Sequence, residues 1–310
     1  MSHKFKGKHI LHGNQFTRQG LEEVMALARE LEAKSNTGEV SPLMRGKILA
    51  TLFFEPSTRT RLSFEAAMHR LQGGVISVAS AETSSAAKGE TIADTARTVS
   101  QYADVIVIRH PRIGSAQEAA EAASVPVINA GDGAGQHPTQ AILDVYTIQK
   151  ELDSLEGITV SLVGDLKFGR TVHALVELLS LYPIRLTLVA PEALRMPEEI
   201  TANLRQKGID VTETDQLSDA LSSSDLLYVT RIQRERFSDL SECEKVKGTY
   251  VISDRLLREA KKEPIIMHPL PRVDEITTDV DTHPGAAYFR QVKNGVFVRM
   301  ALLAMVTGVV

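Results

Sequence analysis

The chain has a single cysteine, Cys243, and no tryptophan, and aromatic residues make up only 5% of its 310 positions. One cysteine can form neither an intrachain disulfide nor a multi-cysteine metal site, and it points to a reducing compartment, the cytoplasm. Cys243 itself reads as incidental rather than nucleophilic. An excess of positive charge is also missing. The 35 Lys and Arg stand against 39 Asp and Glu, a formal net charge of −4, so no global basic field is available for nucleic acid. Any anion site has to be local. The most apolar stretch, Gly295 to Val310, falls short of the roughly 18 to 20 residues a bilayer span needs and is interrupted by Arg299. It predicts a packed C-terminal helix and no membrane partner. Met1 to Lys6 carries basic residues with no apolar segment behind them, which argues against a secretory signal.

What the sequence does have is ordinary globular content, 43% hydrophobic and 24% charged, arranged as β-branched or apolar runs alternating with helical periodicity. The pattern predicts an α/β fold of two domains, each a parallel β-sheet flanked by helices, with a ligand in the cleft between them. The first half reads as a helix around Leu21 to Leu31, then strands at Ile48–Phe54, Val75–Val78, Val105–Ile108 and Val125–Ile128. Helices through Phe64 to Leu71, Ile92 to Tyr102 and Ala116 to Ala123 separate them, with a Gly73-Gly74 stop. A long helix from about Pro138 to Leu152 follows, and the domain boundary is expected in or just after it. The pattern then restarts with strands at Ile158–Val163, Leu186–Val189, Leu226–Val229 and Ile265–Met267, and a helix through Leu175 and Leu179.

The densest chemistry lies in Phe53-Phe54-Glu55-Pro56-Ser57-Thr58-Arg59-Thr60-Arg61, which leaves a strand and opens a helix. Such a turn offers free backbone N–H groups and a positive dipole end to an anion. Ser57, Thr58 and Thr60 add hydroxyls and Arg59 a planar fork suited to phosphate. The glycines and Gly-Lys-Ser/Thr ending of a Walker A loop are absent. From these residues alone two readings stand level: a phosphate cradle, or a helix capped by Ser57 with Arg59 and Arg61 on its solvated face. Arg109-His110-Pro111 and Gly135-Gln136-His137-Pro138-Thr139-Gln140 end later strands, where an open sheet gathers its ligands. Each also has a plain explanation: a surface ion pair for Arg109, a first-turn residue for His137, a solvent-facing amide for Gln140. In the second half Gly164 to Thr171 joins strand to helix without the three-glycine dinucleotide spacing, so a dehydrogenase using Glu192 on a ribose is a weak alternative. Arg170 and Arg231-Ile232-Gln233 suit carboxylate recognition, or ordinary surface charge.

Phe54 to Arg61, Lys88-Gly89-Glu90-Thr91, His137 to Gln140, Gly164 to Thr171 and His268-Pro269-Leu270-Pro271-Arg272, in that order and spacing, resemble the aspartate/ornithine carbamoyltransferase family across nearly the whole chain. The last two runs resemble its aspartate-using members. Pro56 departs from the small residue often found there, which suits a turn before a helix. The ornithine-using members usually carry a Cys where this chain has Pro269, and a cationic substrate would not call for Arg231 and Gln233.

The resemblance implies transfer of a carbamoyl group from carbamoyl phosphate to the amine of L-aspartate, an early step of pyrimidine biosynthesis, with no cofactor and no metal. It implies a carbamoyl-phosphate domain at 1–150, an aspartate domain at 151–287 and a C-terminal helix, 288–310, returning to the first. Ser57, Thr58, Arg59, Thr60 and Arg109 would hold carbamoyl phosphate, with Thr60, Arg109 and His137 on its carbonyl oxygen and Gln140 on its amide. Arg170, Arg231 and Gln233 would hold aspartate, with Thr171 secondary, the Leu270 carbonyl facing the amine and Pro271 fixing that turn. Glu55 would pair with Arg170 and Arg236 on domain closure. The implied assembly is a homotrimer in which Ser84 and Lys88 reach a neighbour's site, Ser84 touching phosphate and Lys88 both substrates, with regulatory chains in a larger dodecamer as a further partner. A non-catalytic scaffold is the reading from another class.

Overall fold

Strand β1 (Ile48–Phe53) begins at the surface and then buries five residues in a row, as expected of a strand covered on both faces. The computed structural model describes residues 3–82, 84–133, 135–233 and 248–310. Cys243 and Arg236 lie outside them. The chain divides into two units, one made of Met1–Leu143 with Val292–Val310, the other of Asp144–Gln291.

In the first unit β1, β2 (Gly74–Val78), β3 (Val105–His110) and β4 (Val127–Asp132) form one sheet in the order β2-β1-β3-β4, every pair parallel. Helices α1 (Arg18–Asn36), α2 (Thr58–Arg70), α3 (Ile92–Val99) and α4 (Ser115–Ala122) accompany it. The apolar stripe of α1, Leu21, Val24, Met25, Ala28 and Leu31, is buried as its spacing predicts. Gly73 lets the Met68 side chain lie close where α2 turns into β2; a Cβ there would stand 2.2 Å from the Met68 terminal methyl and push it aside. Strand β4 starts two residues later than its apolar run suggests and continues through Asn129-Ala130-Gly131-Asp132, all buried. Apolar content alone therefore misplaced both ends of this strand.

In the second unit β5 (Thr159–Val163), β6 (Arg185–Val189), β7 (Asp210–Thr214), β8 (Leu226–Val229) and β9 (Ile265–Met267) form a sheet in the order β7-β6-β5-β8-β9, again wholly parallel. Val163, Val189, Leu227, Val229, Ile252 and Ile266 belong to its core. Helices α6 (Arg170–Leu179), α7 (Glu198–Gln206), α8 (Leu217–Ser223) and α9 (Asp254–Arg258) flank the strands. The long helix α5 (Pro138–Leu152) and the last helix α10 (Tyr288–Thr307) each run across the division, which falls at Leu143/Asp144 and Gln291/Val292 rather than at the helix ends. No described helix is long and apolar enough to cross a membrane.

Both sheets have a topological switch point, where neighbouring strands send their chains in opposite directions and leave a crevice at their carboxyl ends. In the first sheet it lies between β1 and β3, in the second between β5 and β8. The singled-out motifs Glu55–Thr60 and Arg109 sit at the first, Gly164–Thr171 and Thr230–Gln233 at the second.

Candidate active site

At the first switch point Ser57 occupies the N-cap position of α2 with extended backbone (φ −159°, ψ 94°), yet its hydroxyl caps no helix N–H and the first turn contains no acidic residue. Thr17 and Thr91, by contrast, each accept a helix N–H at their own caps. The first turn of α2 therefore keeps its donors and its positive dipole end for something else. Thr60 is buried and its carbonyl accepts the Ser63 hydroxyl, while Arg59 is exposed. Arg61 lies 3.9 Å from Glu65 one helical turn on, which fits the solvated-face reading for that arginine.

Phe53 pairs with Arg109 in the β1–β3 register, so the two chains release their functional groups side by side. The Arg109 side chain is only 12% exposed; its Nε lies 3.2 Å from Glu55 Oε2, out of line for a hydrogen bond, and its Nη1 donates to the Ala130 carbonyl at 3.3 Å. Burial lowers the Arg109 pKa most; Glu55 raises it, and the neighbouring positive charge of Arg59 lowers it again. Two guanidiniums thus approach each other beside a helix N-terminus with one carboxylate in contact, an arrangement that an anion would relieve. Glu55 pairs with Arg109 inside its own unit. The partners expected for it, Arg170 and Arg236, belong to the second unit and, for Arg236, fall outside the described residues.

The turn after β4 depends on two buried polar residues, Asn129 and Asp132, that stand outside the motifs. Asp132 accepts N–H groups from Gln136 at 2.7 Å and Gly114 at 3.0 Å, and the Asn129 amide at 3.3 Å. Asn129 also accepts the Gly131 N–H at 2.8 Å and donates to the Leu11 carbonyl. They set the turn that delivers His137, itself buried, whose carbonyl receives the N–H groups of Gln140 and Ala141. Only the Asn-x-x-Asp spacing at a strand end could have signalled this. Half-buried Ser84 caps a short helical turn at Ser85–Lys88, and Lys88 is exposed.

At the second switch point fully buried Asp165 accepts the Phe168 N–H at 2.9 Å and the Gln233 N–H at 3.2 Å, tying the turn after β5 to the turn after β8. Burial raises the Asp165 pKa, and these backbone N–H groups oppose the rise. Arg170 and Thr171 open α6 on one side of this tie, and Arg231 and Gln233 lie on the other. The Gln233 amide donates to the Phe168 carbonyl at 3.0 Å, so its side chain serves the turn itself. Beyond β9 the Leu270–Pro271 peptide is cis, and Arg272 grips Asp281 with both Nη atoms while donating to the Tyr288 hydroxyl at 3.1 Å. Burial and the Asp281 carboxylate push the Tyr288 pKa up, and Arg272 holds Asp281 below the usual carboxylate range.

Residues 8–150 match the family model described as the carbamoyl-P binding domain of aspartate/ornithine carbamoyltransferase, and residues 156–306 match its Asp/Orn binding domain. The chain belongs to the aspartate/ornithine carbamoyltransferase family. Among relatives of this family, the aspartate carbamoyltransferase catalytic subunit of Thermococcus onnurineus is 55% identical over 306 residues, covering 99% of both chains. That of Methanopyrus kandleri is 54% identical over 305 residues and 98% of each. Among solved carbamoyltransferase structures, Trypanosoma cruzi aspartate transcarbamoylase in complex with N-(phosphonacetyl)-L-aspartic acid superposes with a TM-score of 0.93 at 46% identity, covering 98% of this chain and 97% of that one. The same enzyme has been solved with carbamoyl phosphate and aspartate, at a TM-score of 0.92. The two-domain α/β fold with parallel sheets is thus that of the family.

Proposed function

We propose that the protein is the catalytic chain of an aspartate carbamoyltransferase, transferring the carbamoyl group of carbamoyl phosphate to L-aspartate. The observation that carries the reading is the meeting of Arg109, Arg59 and an uncapped α2 N-terminus at one switch point. Ser57, Thr58, Arg59, Thr60 and Arg109 hold the phosphate; Thr60, Arg109 and His137 face the carbonyl oxygen, and Gln140 the carbamoyl amide. Arg170 and Arg231 take the two carboxylates of aspartate, assisted by Thr171 and Gln233, and the Leu270 carbonyl accepts from its amine.

The aspartate nitrogen lone pair attacks the carbonyl carbon, and the new N–C bond leaves charge on the carbonyl oxygen. Fixed donors at that oxygen lower the barrier. The intermediate collapses by breaking the carbon–oxygen bond to phosphate, and the amine proton leaves with the departing phosphate. The product already carries the atoms that close into a pyrimidine ring, which suits an early biosynthetic step. The single cysteine suits the cytoplasm. The Lys88 side chain is exposed and makes no ion pair or hydrogen bond among the described residues, which suits a role in a neighbouring subunit of a trimer.

The test is a carbamoyl-transfer assay with aspartate and ornithine side by side, with titration of N-(phosphonacetyl)-L-aspartate. The reading expects transfer to aspartate alone, and an affinity for the two-headed analogue far above that of phosphate, because one molecule fills both anion sites at one entropic cost. Transfer to ornithine, or an analogue no tighter than phosphate, overturns it.

A further inference from the structure

The residues around Leu270 form a chain of buried hydrogen bonds separate from the side chains proposed to hold substrate. Tyr228 in β8 donates to Asp144 Oδ2 at 2.7 Å, and Asp144 Oδ1 accepts the Gln291 amide at 2.6 Å. Gln291 in turn accepts the His268 backbone N–H at 3.0 Å. The His268 ring, 1% exposed, spans two further groups: its Nδ1 accepts the Leu270 N–H at 2.8 Å, and its Nε2 lies 2.7 Å from Glu275 Oε1. A backbone N–H can only donate, so Nδ1 carries a lone pair and Nε2 carries the hydrogen given to Glu275. Glu275 is held in place as well, accepting N–H groups from Val273 and Asp274 at 3.1 to 3.3 Å. Burial raises its pKa, but the bonds from His268 and the backbone outweigh this and leave it below the usual carboxylate range.

What this arrangement holds is an uncommon backbone. Leu270 has φ +55°, a left-handed conformation that a residue with a branched side chain adopts only when its surroundings insist. We infer that His268, fixed in one tautomer by Glu275 and anchored through Gln291 to Asp144, is the positioning residue that aims the Leu270 carbonyl. Both ring nitrogens are engaged and the ring is buried, so His268 touches no substrate. The inference rests on the proposed role of the Leu270 carbonyl toward the amine of aspartate.

Two substitutions separate aiming from mere packing. His268→Asn keeps an acceptor near the position of Nδ1 and loses the reach to Glu275; His268→Gln reaches Glu275 and loses the acceptor for Leu270. The inference expects the Asn variant to stay within about tenfold of wild-type kcat/KM for aspartate and the Gln variant to lose on the order of 10²-fold, the usual result of misplacing a group by about 1 Å. Hydrogen exchange at the Leu270 amide should be slow in wild type and the Asn variant and fast in the Gln variant, and binding of inorganic phosphate should be unchanged in all three. Glu275→Gln, which still offers His268 an acceptor, should retain activity where Glu275→Ala does not, so the inference is decided even if the His268 variants fold poorly. Gln outperforming Asn at 268, or losses that only follow the unfolding midpoint, overturn it. Wild-type protein that transfers nothing to aspartate overturns the function itself, and the exchange data then still report whether His268 holds the Leu270 N–H.

Discussion

Arg109 brings a positive charge to a position only 12% exposed and meets there a second guanidinium, Arg59, and one carboxylate, Glu55. In water such a cluster would disperse; held by β1, β3 and the start of α2 it keeps an excess of positive charge beyond what Glu55 offsets, which a bound anion would neutralise. Deleting one preorganised donor of this kind typically lowers turnover on the order of 10² to 10³. Arg59→Ala should fall in that range with an unchanged fold, because the side chain is exposed and supports no core. Steady-state kinetics alongside circular dichroism decides it, and near-normal turnover removes Arg59 from the phosphate cradle. His137→Ala should cost less, since in the proposed mechanism Thr60 and Arg109 remain as donors to the carbonyl oxygen. Complete loss in that variant without unfolding would mean that His137 moves a proton.

At the scale of elements, what was legible in the sequence followed from apolar content. The strands β1, β3, β5, β6, β8 and β9 announce themselves as β-branched or leucine-rich runs, and the strand-to-helix turns after β1 and β5 by their hydroxyls, glycines and arginines. Strand β7, Asp210-Val211-Thr212-Glu213-Thr214, was missed because four of its five residues are polar or charged and none is buried. Helices α7, α8 and α9 were missed too, being short and half polar. The roles of Asn129, Asp132, Asp165 and Glu275 were invisible for another reason. A buried polar residue acts through groups distant in sequence, and only the folded chain shows which. Gly164 illustrates the difference: two glycines were visible in its motif, but not that it has φ +116° and that a Cβ there would stand 2.3 Å from the Thr230 carbonyl oxygen. Gly164→Ala must therefore part β5 from the turn after β8, at a cost of roughly 2 to 4 kcal/mol. Urea unfolding should show this, with KM for aspartate raised and phosphate binding intact. A change below about 1 kcal/mol would mean that the turn relaxes freely.

For the whole molecule, stability should decline on mild acidification. Burial lowers the pKa of His9, His110 and His173 below the ordinary 6.5, so the unfolded chain takes up protons first as pH falls. A group whose folded pKa is depressed stabilises the fold above its unfolded pKa and loses that contribution as pH drops through the folded value. The melting temperature should therefore fall from pH 6.5 downward, and His173→Gln, which keeps a donor for the Leu166 carbonyl, should flatten the slope. An unchanged slope assigns the loss to other groups. Assembly gives the more searching test. If each active site joins Arg59 of one chain to Lys88 of its neighbour, then Arg59→Ala and Lys88→Ala chains are each inactive alone. In a cyclic trimer every mixed assembly has one interface where an intact Arg59 meets an intact Lys88. Dissociating and reassembling equal amounts at random makes about three quarters of the trimers mixed, each with one working site in three, so roughly a quarter of wild-type activity should return. Native mass spectrometry shows whether mixed trimers formed. If they form and the hybrid stays as inactive as its parents, Lys88 acts within its own chain or not at all, and the shared site is wrong.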